Sequence, residues 1–198
     1  MQENVVRKER MKTEKRVYTI KDIEALPEGE RAELIDGEMF RMDSPDLVHQ
    51  EILGELYIVV RQYIRSRGGK CKVYFSPFAV YINNDVYNYV EPDLLVICDV
   101  DKLDRKGCHG APDWLVEIVS PGSKKMDYVR KLFKYRTSGV QVYWIIDPMK
   151  KMVKVYDFNR DTETDYTFTD EIPVGIYEDF AIDFTAFDQS YWEWPIKG

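Results

Sequence analysis

Tyr89–Cys98 reads YVEPDLLVIC, and Trp114–Ser120 reads WLVEIVS. After Asp93 the first run is continuously apolar, and the second is apolar up to Ser120 except for Glu117. Short apolar runs without alternation are the pattern of strands buried on both faces of a sheet covered by helices. A carboxylate in such a strand needs a reason, because an unpaired buried charge is costly. If the two strands lie side by side, Asp93 and Glu117 reach similar depth and repel unless a cation or a proton lies between them. A divalent metal is the simplest neutraliser, and carboxylate oxygens with water are the ligands magnesium favours. Glu91 lies on the same strand face as Asp93, two residues away.

The sequence on either side extends this core. Thr19 and Asp22 predict the start of a short helix over Ile20–Leu26. Asp36-Gly37, inside AELIDGEMFRM at 32–42, predicts a two-residue hairpin. Val48, Ile52, Leu56, Val59 and Tyr63 recur at steps of three and four, which predicts an amphipathic helix over 47–66 ended by Gly68-Gly69. Lys72–Ile82 is a further strand candidate, with Pro77 marking an edge or bulge. A second helix is expected over 124–138, ended by Gly139, and Gln141–Asp147 reads as another buried strand. Met152–Phe158 and the segments near Tyr166–Phe168 and Ala181–Phe184 close the chain as antiparallel strands. The expected fold is α/β: one central mixed sheet flanked by helices, with an N-terminal β-hairpin and C-terminal antiparallel strands.

Composition removes several classes. Of the 198 residues, 44% are hydrophobic and 14% aromatic, too much packing material for a disordered chain. No apolar run approaches the roughly 18 residues of a membrane span. No secretory signal is read at the N-terminus, so a cytoplasmic protein is the default expectation. Cys71, Cys98 and Cys108 are an odd set without CxxC spacing, which argues against a disulfide framework or zinc site. Two histidines, His49 and His109, supply a transition-metal centre poorly.

The net charge of −7 argues against generic nucleic-acid binding, but the charge is unevenly placed. Residues 1–16 carry +3 and residues 157–198 carry −9. The first segment reads as a mobile basic leader, leaving 17–198 as one domain. Two local basic groups, Arg61 to Lys72 and Lys124 to Arg136, are solvated helix faces or backbone-phosphate contacts.

Asp127, Lys131 and Tyr135 fall at i, i+4 and i+8, along one helical stripe. They are an ordinary surface pair with a neighbour, or they bring a cation beside the acids, where it can stabilise developing negative charge. His49 opens the long helix one residue off its core stripe, as a surface histidine or a proton-transfer or substrate contact. Glu33 and Glu38 flank the hairpin turn; they are exposed charges, or one of them leans into the same cleft, and the supporting set takes Glu38.

The ordered phrases ELIDGE at 33–38, His49, EPDLLV at 91–96, GAPDWLVEIVSPGS at 110–123, the series Asp127, Lys131, Tyr135, Gly139, and VYWIIDP at 142–148 resemble the Uma-type restriction endonuclease family. That family lies within the PD-(D/E)XK nuclease superfamily, and the likeness runs from about Val17 to about Phe187. It implies a restriction-endonuclease-like core and a Mg2+ or Mn2+ site built from Asp93, Glu117 and the backbone carbonyl of Ile118. The lysine expected two residues after the second acid is Val119 here, and Lys131 is the candidate replacement, with Lys125 second. The implied activity is metal-dependent hydrolysis of nucleic-acid phosphodiesters, DNA first, by Asp93, Glu117 and Lys131. His49, Glu38, Asp127 and Tyr135 support them, Arg61, Arg65, Lys124 and Lys125 hold phosphates, and a homodimer is expected. The alternatives are a non-catalytic nucleic-acid-binding or regulatory module, and a hydrolase of smaller phosphate esters. Separation of the two acids to opposite sides, or an ammonium or guanidinium partner for each, would remove the enzyme reading.

Overall fold

Period-two and period-3.6 patterning divide the chain into strands and helices much as the sequence suggests. The structure is a computed structural model that describes residues 16–120, 126–187 and 190. A short helix α1 (Ile20–Glu24) begins at Thr19, where the Asp22 carboxylate accepts the Thr19 backbone N–H. β1 (Ala32–Ile35) and β2 (Glu38–Arg41) form the expected hairpin. Asp36 and Gly37 at its turn both take positive φ, 51° and 75°, the conformation that tight hairpins demand.

α2 spans Leu47–Ser66, with the Asp46 side chain capping the His49 N–H. Its buried face is Ile52, Leu53, Leu56, Val60 and Ile64. That face is centred one residue later than the Val59–Tyr63 stripe, so His49 sits on it rather than beside it. The predicted 72–82 strand is divided at Pro77 into β3 (Lys72–Phe75) and β4 (Val80–Tyr81). β5 (Leu94–Ile97), β6 (Cys108–His109) and β7 (Trp114–Ile118) follow. The second helix begins as a π-helical turn, Met126–Lys131, and continues as α3 (Leu132–Ser138). The strands β8 (Val142–Asp147), β9 (Met152–Asp157), β10 (Thr162–Thr167), β11 (Glu171–Pro173) and β12 (Ala181–Asp183) complete the chain.

Six strands make the central sheet, in the order β10-β9-β8-β7-β5-β3. Only β7 and β8 run parallel within it; its other neighbours are antiparallel. The π-turn and α3 form the crossover that a parallel pair requires. Each face carries its own core. Trp114, Val116 and Ile118 point to the side covered by α2 and the β11–β12 hairpin. Leu115 and Val119 point to the side covered by α3, Val80, Ile82 and Cys108. The alternation places Glu117 on the α3 side.

One cysteine expectation is overturned. Cys71 and Cys98 form a disulfide, because the antiparallel β3–β5 register continues one position beyond the Lys72–Ile97 pair and sets them opposite each other. Spacing along the chain could not show this, since the partners are 27 residues apart. Cys108 is buried and free. No helix among the described residues is long and apolar enough to cross a membrane. The expected leader lies outside the described residues except for Arg16, as do Lys124 and Lys125.

Candidate active site

β5 and β7 are neighbours, and their antiparallel register pairs Leu94 with Val116. Asp93 and Glu117 each lie one step further along, so the two acids are directly opposed. Asp93 just precedes β5, and its Oδ2 accepts the backbone N–H of Ile118 at 2.7 Å. The same oxygen lies 3.0 Å from His49 Nε2. Burial works against a charged imidazole, but the Asp93 carboxylate more than offsets it and holds the His49 pKa above its usual value. His49 Nδ1 is buried with no hydrogen-bond partner among the described residues.

Glu117 is almost fully buried, at 4% exposure. Its Oε1 accepts the Tyr135 hydroxyl at 2.8 Å and lies 2.9 Å from Lys131 Nζ. The Lys131 ammonium also lies 2.8 Å from Glu33 Oε2 and 3.6 Å from Asp127 Oδ1. Burial raises the Glu117 pKa well above its ordinary value; Lys131 opposes this, while Asp127, Asp93 and Glu33 add to it. Burial alone would discharge Lys131, but Glu117, Glu33 and Asp127 keep it firmly protonated. Tyr135 and Tyr143 stay neutral hydroxyls, raised first by burial and then by Glu117.

The structure gathers Glu117, Lys131, Asp127 and Tyr135 in one cluster, and pairs Asp93 with His49 at the neighbouring Ile118 N–H. It leaves Glu38 outside, where Glu38 Oε2 pairs with Arg130 Nη1 at 2.7 Å on the rim. Glu33, its hairpin companion, is the acid that enters. The backbone bridge between Leu34 and Tyr89 fixes β1 against the 87–90 segment. The Glu91 N–H then donates to Glu33 Oε1 at 3.0 Å, which aims Oε2 at Lys131. All four residues of β1, AELI, are buried, so the glutamate among them needs a partner inside. The Glu91 carboxylate turns away, to Arg31 and the Tyr89 hydroxyl. Arg61 and Arg65 lie on the exposed side of α2. They stand 12 and 16 residues beyond His49, about 18 and 24 Å along the axis.

The donor set suits a hard divalent cation: the Asp93 and Glu117 carboxylates with the Ile118 carbonyl are all oxygen. Among the described residues, however, no three His, Cys, Asp or Glu side chains converge as a metal-binding group. An ammonium, Lys131, holds Glu117 instead. Glu117 has an ammonium that it shares with Glu33 on the α3 side of the sheet, and Asp93 has the imidazole of His49 from α2.

The family described as "Uma2: Putative restriction endonuclease" matches residues 20–183. The chain belongs to the Uma2 family. Among solved structures, a "putative nuclease belonging to DUF820" from Anabaena variabilis ATCC 29413 superposes with a TM-score of 0.70 at 20% identity. The match covers 88% of this chain and 98% of that one, and at this identity it shows a shared fold. No curated protein matches the chain. Membership supports a nuclease acting on nucleic acid, built on a restriction-endonuclease-like mixed sheet.

Proposed function

We propose that this Uma2 protein is a divalent-metal-dependent endonuclease that hydrolyses phosphodiester bonds, with DNA as its substrate. The observation that supports the reading is that Asp93 is fastened to the backbone N–H of Ile118, the residue after Glu117, with a buried ammonium at the second acid. Asp93, Glu117 and the Ile118 carbonyl would hold Mg2+ or Mn2+, which supplies an activated water and polarises the phosphate. Lys131 would do the electrostatic work of the lysine that Val119 cannot provide, setting positive charge where negative charge develops on the phosphate. Tyr135 fixes the Glu117 carboxylate, and Asp127 holds the Lys131 ammonium. His49 Nε2, 3.0 Å from Asp93 Oδ2, orients that carboxylate.

Arg61 and Arg65 on α2, with Lys124 and Lys125, contact backbone phosphates away from the scissile bond and make binding salt-sensitive. Cutting both strands suits a homodimer, and residues 17–198 act as one domain in the cytoplasm. A second reading, a nucleic-acid-binding module without cleavage, is favoured by one observation: the Lys131 ammonium lies 2.9 Å from the Glu117 carboxylate oxygen.

Plasmid nicking in Mg2+ or Mn2+ tests the choice. Cleavage by the natural protein that is lost in Asp93→Ala and Glu117→Ala supports the endonuclease. Cleavage unchanged in both variants removes it, and salt-sensitive DNA retention with no metal-dependent cleavage establishes the second reading. Duplex, single-stranded and RNA substrates assayed side by side fix the substrate.

A further inference from the structure

We propose that the flank of α2 facing β3 is a platform for unpaired bases, on which the protein takes up a single-stranded segment of nucleic acid. This inference rests on the nucleic-acid reading above and asks nothing of a metal.

Gly54, Tyr57, Arg61 and Arg65 follow one another on α2 at steps of three and four, along one stripe. Phe75, at the end of the edge strand β3, is 47% exposed. Its ring centroid lies 4.7 Å from that of half-buried Tyr57, with the ring planes 73° apart. Arg61 Nη1 donates to the Tyr57 hydroxyl at 2.8 Å, and its guanidinium lies 5.6 Å from the Tyr57 ring centroid. Aromatic faces and guanidinium planes are what splayed bases stack on. Bases stacked inside a duplex cannot use them. Phe75 pairs with Leu94, and the Ser76 N–H donates to the Asp93 carbonyl at 3.0 Å. The platform therefore starts beside Asp93, and it runs along α2 toward Arg65.

Two further observations choose the occupant. The first is charge. Arg67 pairs with Asp179, but Arg61 and Arg65 pair with no acid among the described residues. Positive charge beside open rings complements a phosphate backbone, whereas an apolar protein partner would bury both guanidiniums uncompensated. The second is Gly54, inside a helix of 20 residues, where glycine is less stable than alanine. A Cβ at this position would meet nothing within 4 Å beyond the helix's own backbone, so internal packing does not call for glycine. A strand lying close against the helix does.

Fluorescence anisotropy with labelled oligonucleotides, in EDTA so that nothing is cut, tests the platform on the full chain. Oligo(dT) or oligo(U) should bind at least about tenfold tighter than a blunt duplex of equal length, and whichever of the two binds tighter gives the sugar preferred. Phe75→Ala, which removes an exposed ring, and Tyr57→Ala should each weaken single-strand binding about tenfold. Gly54→Gln should raise the urea midpoint and yet weaken single-strand binding several-fold. A raised midpoint with binding unchanged overturns the inference, as does single-strand affinity unmoved in Phe75→Ala. Duplex bound as tightly as single strand also overturns it, while the nucleic-acid reading stands. If no nucleic acid is retained, both fall and the surface belongs to a protein partner.

Discussion

The Asp93 carboxylate accepts the backbone N–H of Ile118, so the first acid of the site is fastened to the strand that carries the second. Charge and scaffold are separable at this position. Asp93→Ala leaves that N–H without its acceptor and should destabilise the fold by about 1–3 kcal/mol. Asp93→Asn keeps an acceptor oxygen and should cost less. Chemical denaturation checks the difference, while both variants lose cleavage.

Glu33 and Glu38 lie on either side of one tight turn, yet they should respond very differently to removal. Glu33→Ala strips an anchor from Lys131 and leaves the Glu91 N–H buried without its acceptor, a loss of about 2–4 kcal/mol. Glu38→Ala removes a partly exposed pair with Arg130, worth about 0.5 kcal/mol or less. Urea midpoints of the two variants measure the contrast.

Tyr135→Phe removes one of the two groups on Glu117 Oε1. The remaining Lys131 contact keeps the carboxylate satisfied, so the expected cost is about 1–2 kcal/mol. Its nuclease rate should fall less than that of Glu117→Gln, as measured by nicking under identical metal conditions.

Thiol counting checks the sheet edge. Unfolded without reductant, each chain should titrate one free thiol, Cys108; unfolded after reduction, it should titrate all three. The folded protein should resist labelling at pH 8, because burial pushes the Cys108 thiol up to about 11. A raised thiol pKa favours the protonated form in the folded state. Its contribution is complete below the ordinary value of 9.0 and is lost as pH rises toward about 11. Cys108→Ala should flatten that part of the alkaline stability profile.

Much of this architecture was legible in the residues themselves. Short, mostly apolar runs mark β5, β7 and β8 because these strands are covered on both faces, and Asp36-Gly37 marks its hairpin because few residues tolerate positive φ. The acids Asp93 and Glu117 stand out by being charged where charge is expensive. What stayed hidden depends on pairing at a distance. The Cys71–Cys98 link follows from strand register, which no local pattern encodes. The choice between Glu33 and Glu38 depends on the face β1 presents to the 87–90 segment. His49 reads as one residue off the core stripe because Val59 and Tyr63, half-buried on the flank of α2, imitate the centre of its buried face.

The hairpin has a further consequence. It lies outside the six-stranded sheet, yet it delivers Glu33 to an ammonium 98 positions later in the chain. During synthesis the cluster cannot close until the ribosome has released Lys131, long after Glu33 and Asp93 have emerged. A chain that ends before residue 131 has Glu33 and Glu117 but not their common ammonium, so this cluster cannot form in it.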